Sequence, residues 1–153
     1  MRIYLIFFLL TLLTACSKRA QVVGIGDDDP EMAAAIAQAR QTLPQFWQVF
    51  DRRDHGESNF VLVVRITDKG RVEHFFTTDF ERRDGKTMVT ISNAPKIVAS
   101  VKAGDRVEIP PTDITDWSYM RDGKYVGLRT LKPRLRRMPA ADVEQVKQMM
   151  ADP

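Results

Sequence analysis

Three kinds of hydrophobic spacing succeed one another along the chain. The first is an apolar run over residues 3–13, interrupted by Thr11, behind a single positive charge, Arg2. It falls short of the about 20 apolar residues that a membrane-spanning helix needs. The second begins at Asp29-Pro30-Glu31, the order of a helix start: a capping aspartate, a proline at the first helical position and an acid favoured by the helix dipole. Met32, Ile36, Ala39, Leu43, Phe46 and Phe50 come next at alternating steps of four and three, one stripe of an amphipathic helix over about residues 30–50. Pro44 interrupts this stripe, and Thr42-Leu43-Pro44-Gln45 also fits a capping box, so the expectation is one helix kinked at Pro44 or two helices.

The third spacing is the alternation of strands. Residues 60–67 are apolar on both faces at first and β-branched, which predicts a central strand. Asp68-Lys69-Gly70 offers a hairpin turn into residues 71–80. There Val72, His74, Phe76, Thr78 and Phe80 share one face, and Arg71, Glu73, Phe75, Thr77 and Asp79 share the other. Arg83-Asp84-Gly85-Lys86 turns the chain into a third strand over residues 87–92. Residues 96–103 show no clear form. Residues 106–109, 113–120 and 124–131 read as further strands, with Asp122-Gly123 as the tight turn between the last two and Pro133 as the stop. Val143, Val146 and Met150 mark a short helix from about residue 139 to 151. The expected fold is α+β: an N-terminal helix packed on an antiparallel sheet of about five to six strands, then a short C-terminal helix.

The apolar run at the start acquires a meaning from the tetrad that ends it. Leu13-Thr14-Ala15-Cys16 resembles a lipobox, the aliphatic-small-small-cysteine tetrad of bacterial lipoprotein signals, and residues 1–15 have the layout of a secretory signal. Cys16 is then the acylated N-terminus. It is the only cysteine of the chain, and a lipidated thiol removes the liability of an unpaired one in an oxidising compartment. The expectation is a lipoprotein of the outer membrane facing the periplasm, since Ser17 stands after the cysteine rather than the aspartate associated with inner-membrane retention. Residues 16–29 read as a tether, and residues 30–153 as one domain.

Charge modifies this picture little in sum and more in distribution. The 153 residues carry 23 Lys and Arg against 20 Asp and Glu. Between residues 121 and 137, however, stand Arg121, Lys124, Arg129, Lys132, Arg134, Arg136 and Arg137 against Asp122 alone. Such a run is either a solvated face or a patch for anionic envelope material; export removes nucleic acid as its target. Candidate recognition residues are therefore Arg134, Arg136 and Arg137, together with Trp117 and Tyr119. The two aromatics share a strand face, which is either core or a ligand surface.

Catalytic and metal chemistry find little support. His74 is the only histidine inside a predicted element, and Glu73 points to the opposite face, so no carboxylate partner is legible; His55 sits in a loop. Two histidines and no free thiol give no zinc spacing. Asp27-Asp28-Asp29 lacks the alternation of a calcium loop, and Gly24-Ile25-Gly26 lacks the strand and third glycine of a dinucleotide site. No catalytic residue, metal or cofactor is assigned. The expected role is a non-enzymatic envelope binding module, with an inhibitor or immunity-type protein docking on a partner, or an enzyme using His74, as the alternatives.

Several segments in combination resemble one family. Asp28-Asp29-Pro30-Glu31-Met32, Ala35-Ile36, Ala39-Arg40, Thr42-Leu43-Pro44 and Phe46, with Glu73-His74-Phe75-Phe76, Asn93-Ala94-Pro95, Gly104-Asp105-Arg106-Val107 and Ile114-Thr115-Asp116-Trp117, are similar to the YegJ-like family of uncharacterised bacterial proteins. The resemblance covers roughly residues 28–132 and implies no catalytic or ligand residue. The basic stretch 134–137 and the last helix lie outside it.

Overall fold

The computed structural model describes residues 25–53 and 56–151; the proposed signal, Cys16 and His55 lie outside them. Helix α1 (Pro30–Arg52) begins where its capping signal stands, the Asp29 carboxylate accepting from the N–H groups of Glu31 and Met32. It runs through Pro44 as one helix. Thr42 caps no second helix, because its hydroxyl donates back to the carbonyls of Gln38 and Ala39 within the same one.

Six strands come after it: β1 (Ser58–Asp68), β2 (Arg71–Arg83), β3 (Lys86–Ile91), β4 (Arg106–Ile109), β5 (Ile114–Arg121) and β6 (Lys124–Gly127). They form one antiparallel sheet in the order β4-β3-β2-β1-β5-β6, so the strand starting the sheet in sequence lies inside it. The β1–β2, β2–β3 and β5–β6 hairpins each turn on two residues of positive φ, Lys69-Gly70, Asp84-Gly85 and Asp122-Gly123. That is the turn whose twist matches paired strands. Two short helices complete the chain, α2 (Leu131–Leu135) and α3 (Ala140–Met149).

α1 covers one face of the sheet. Its Ala39, Leu43, Phe46 and Trp47 pack on Leu62 and Val64 of β1, Phe75 of β2, Val89 and Ile91 of β3, and Trp117 and Tyr119 of β5. Phe46 is fully buried among six other rings: Trp47, Phe50, Phe60, Phe80, Trp117 and Tyr119. The stripe divides, however. Met32 and Ile36, one to two turns earlier, leave this core and pack with Ile25 in a cluster of their own. Ile25 belongs to the segment expected as free tether, and its burial docks residues 25–29 onto the domain.

Two expectations change for physical reasons. Strict alternation puts Phe80 beside His74 and Phe76, but Asp79 takes φ +51° at a bulge where the β2–β3 register shifts. One extra residue reverses the facing of the strand beyond the bulge, so Phe80 joins the α1-facing core. The last strand ends at Gly127 rather than near residue 131, because Gly127 at φ +98° and Leu128 at φ +53° turn the chain out of the sheet. Pro133 then lies inside α2 and is buried.

Candidate functional site

The opposite face of the sheet is only partly covered, and the cover leaves a cavity of about 280 Å³. Val63 of β1, His74 and Phe76 of β2, and Thr115 and Asp116 of β5 form its floor. Leu128, Thr130, Leu131 and Arg134, from the turn into α2 and α2 itself, form one wall; Asp27, Met32 and Ile36 close the other. Leu128 and Leu131 are backed by the third apolar cluster, Leu135, Met138 and Met150, so α3 supports that wall from behind. Phe76 stands 55% exposed on the floor, an uncovered aromatic ring at the cavity.

The bulge in β5 makes the floor. Leu62 pairs with Trp117 and Val63 with Asp116, but Val64 pairs with Ile114, which leaves Thr115 as the extra residue. Trp117 therefore faces α1 while Asp116 faces the cavity. Asp116 is 1% exposed and accepts four hydrogen bonds, from the N–H groups of Trp117, Arg129 and Thr130 and from the Thr130 hydroxyl at 2.6 Å. Burial pushes its pKa up, and the Thr130, Trp117 and Arg129 donors offset part of that rise. Its task is visible in those partners: it clamps residues 129–130 to β5 and so sets the wall that α2 continues.

His74 does have a carboxylate partner, one that no local spacing reveals. Nε2 lies 3.2 Å from Oδ2 of Asp27, 47 residues earlier, and Nη1 of Arg65 lies 3.9 Å from the same oxygen. That oxygen is buried yet makes no well-aligned hydrogen bond among the described residues. Burial lowers the His74 pKa; Asp27 raises it, and the Arg134 and Arg65 charges lower it again. The net direction is down, which keeps the imidazole neutral near pH 7. Arg134 contributes a further uncompensated group, because its Nε is buried without a hydrogen-bond partner among the described residues. Glu73, as its strand position requires, serves the other side: its carboxylate accepts from the N–H groups of Lys96, Ile97 and Val98 and orders the formless segment.

The expected recognition surface does not assemble. Trp117 and Tyr119 are 3% and 5% exposed and lie in the α1-facing core, stacked on each other at 6.0 Å, so they offer no outer surface. Trp117 Nε1 donates to the Ala39 carbonyl at 2.9 Å, which satisfies its one polar group inside. The basic run is dispersed. Arg121 is paired with Glu57, Arg136 with Glu31 and Arg137 with Asp29. Arg134 alone of the three candidate arginines reaches the cavity, and as part of a helix rather than of an extended strand.

A second hollow, about 420 Å³, lies along the β2–β3 turn between Trp47, Arg82 and Pro111. Arg82 there is already paired with Asp51 and stacked 4.3 Å from the Trp47 ring, so its charge is in use. Among the described residues no group of three or more His, Cys, Asp or Glu is placed to hold a metal ion, and no helix is long and apolar enough to cross a membrane.

Comparison with known proteins gives two matches. A family model described as an uncharacterized protein conserved in bacteria, DUF2314, matches residues 29–151. A curated protein, "Uncharacterized protein YegJ" of Escherichia coli strain K12, is 35% identical over 122 residues, covering 80% of this chain and 78% of the relative. No solved structure matches.

Proposed function

Because the chain belongs to the bacterial DUF2314 family, whose matched region takes in the whole cavity except Asp27, we propose that it is a non-enzymatic envelope lipoprotein whose domain holds a small ligand in that cavity. The observation that carries this reading is the combination of an apolar hollow with a few polar residues at its lining, His74 and Arg134 among them, the latter with a buried Nε that no described residue bonds. Small-molecule sites are built in this way: apolar lining supplies most of the contact, and a few polar groups fix orientation. Catalysis is disfavoured by the hydroxyls at hand. Thr115 donates to the Val63 carbonyl and Thr130 to Asp116, so neither stands against His74 as a nucleophile needs to. The pairing of Arg136 and Arg137 with Glu31 and Asp29 also draws support away from a basic face for anionic polymers.

The envelope half of the proposal rests on residues 1–16. Acylation of Cys16 would supply the anchor, burial of each CH₂ contributing about 0.8 kcal/mol and two or more chains holding firmly. Cys16→Ser should leave an unprocessed or soluble species in cell fractions; a variant of wild-type maturity in the membrane pellet would refute the anchor. The ligand half is tested by purifying the full chain from envelopes and identifying released small molecules by mass spectrometry. A Leu131→Trp variant, which fills the cavity, should lose a species that the wild type carries. Equal recovery from both would overturn the reading.

A further inference from the structure

Asp27 lies outside the family match and places a carboxylate in a position that the cavity's own groups define. The buried Oδ2 atom sits among basic side chains, 3.2 Å from His74 Nε2 and 3.9 Å from Arg65 Nη1, without a well-aligned hydrogen bond. A carboxylate built permanently into a structure normally satisfies its oxygens, as Asp116 does with four donors. Asp27 instead leaves a buried oxygen without such donors, on a segment held to the domain by Ile25, which packs on Met32 and Ile36, and by the Asp29–Arg137 ion pair. Arg134 meanwhile presents a buried Nε that nothing among the described residues uses.

We propose that the cavity binds a small amphipathic monocarboxylate, its headgroup on Arg134 and His74 in the place that Asp27 lines and its apolar body against Met32, Leu131 and Phe76. This deepens the small-ligand reading above and rests on it. A guanidinium presents parallel N–H donors that match a carboxylate, and a neutral imidazole adds a further donor without a second charge. One negative charge is the complement of the site. Arg65 is already paired with Asp113 at 2.9 Å, so displacing Asp27 leaves chiefly Arg134 to be neutralised, and a dianion would meet Asp116 on the cavity floor. Volume sets the size. A cavity of about 150 Å³ takes benzene, so 280 Å³ suits a ligand of about ten heavy atoms. Asp27 then acts as an internal competitor, and binding releases its carboxylate from His74.

The probe is 4-phenylbutyrate, with 4-phenylbutanol and 4-phenylbutylamine as neutral and cationic counterparts. Binding is measured calorimetrically to the full chain in lipid nanodiscs, with empty nanodiscs as the blank. The acid should bind at least about tenfold tighter than the alcohol or the amine, the scale of a charge-assisted hydrogen bond. Arg134→Gln should remove that preference, Arg134→Lys should retain part of it, and Asp27→Asn should tighten binding of the acid while leaving the alcohol unchanged. The lysine variant keeps the charge and so separates loss of recognition from loss of folding. Alcohol and acid binding equally would overturn the carboxylate assignment while the small-ligand reading stands. Binding of none of the three would overturn both.

Discussion

Gly127→Ala probes the packing that separates the core from the cavity wall. Gly127 pairs with Ser118 at the end of β6, and its φ of +98° lies beyond the left-handed well that Leu128 occupies at +53°. A Cβ there would stand 2.3 Å from the Trp117 carbonyl oxygen and 2.7 and 2.8 Å from ring carbons of the same residue. Neither neighbour has room to withdraw. The carbonyl accepts from Leu128 N at 3.0 Å, and the indole is fixed by its bond to Ala39 and by Phe46 and Tyr119. Backbone strain of about 1–3 kcal/mol and overpacking of about 1–3 kcal/mol together give about 2–6 kcal/mol, against the roughly 5–15 kcal/mol that holds a domain folded. Gly123→Ala is the internal reference, since Gly123 has φ +73° with open space around it, so only backbone strain applies. Urea denaturation monitored by circular dichroism should show Gly127→Ala the more destabilised of the two, by about 1–3 kcal/mol. Equal midpoints would refute the placement of Trp117 against β6.

Trp117→Ala should cost about 3–5 kcal/mol as a buried truncation, read as a fall in the same midpoint; an unchanged midpoint would return Trp117 to the surface. Burial alone would raise the Glu73 pKa, but the N–H groups of Ile97, Val98 and Lys96 outweigh it and hold the carboxyl below the usual glutamate range. Its stabilisation is therefore complete above the unfolded-state pKa and lost as pH falls through the folded-state value, so Glu73→Gln should be less stable than wild type at pH 7 and converge on it in acid. A gap that stays constant with pH would remove Glu73 as the organiser of residues 96–98. Replacing Arg136 and Arg137 with Gln should leave retention on anionic vesicles unchanged across a salt series, because Glu31 and Asp29 already balance them. A salt-sensitive loss of retention would restore the basic run as a binding face.

Local chemistry decides the features that could be read from the chain. Asp29-Pro30-Glu31 begins α1 as written, and the Gly-containing dipeptides place three hairpins, because capping and turn conformation depend on residues within one turn of each other. Alternation marks the six strands. It fails where a single residue leaves it: Asp79 looks like any strand aspartate, yet its positive φ turns Phe80 inward. α2 was hidden for a similar reason, since two leucines and two basic residues around Pro133 suit the frayed end of a strand as well as one helical turn. The site was least legible. His74 and Arg134 were both visible as candidates, but their meeting depends on the Asp116 clamp, and Asp27 reaches His74 from a segment that reads as tether. Contacts between residues so far apart leave no spacing to read.

The claim that the cavity is the functional site is tested most directly by mapping where a neutral aromatic alcohol binds, using side-chain NMR shifts of the full chain. Shifts should concentrate on Met32, His74, Leu128 and Leu131 and vanish in Leu131→Trp. Shifts centred on Trp47 and Arg82, or a pattern that survives the filled cavity, would place the binding elsewhere and end the account given for this face of the sheet.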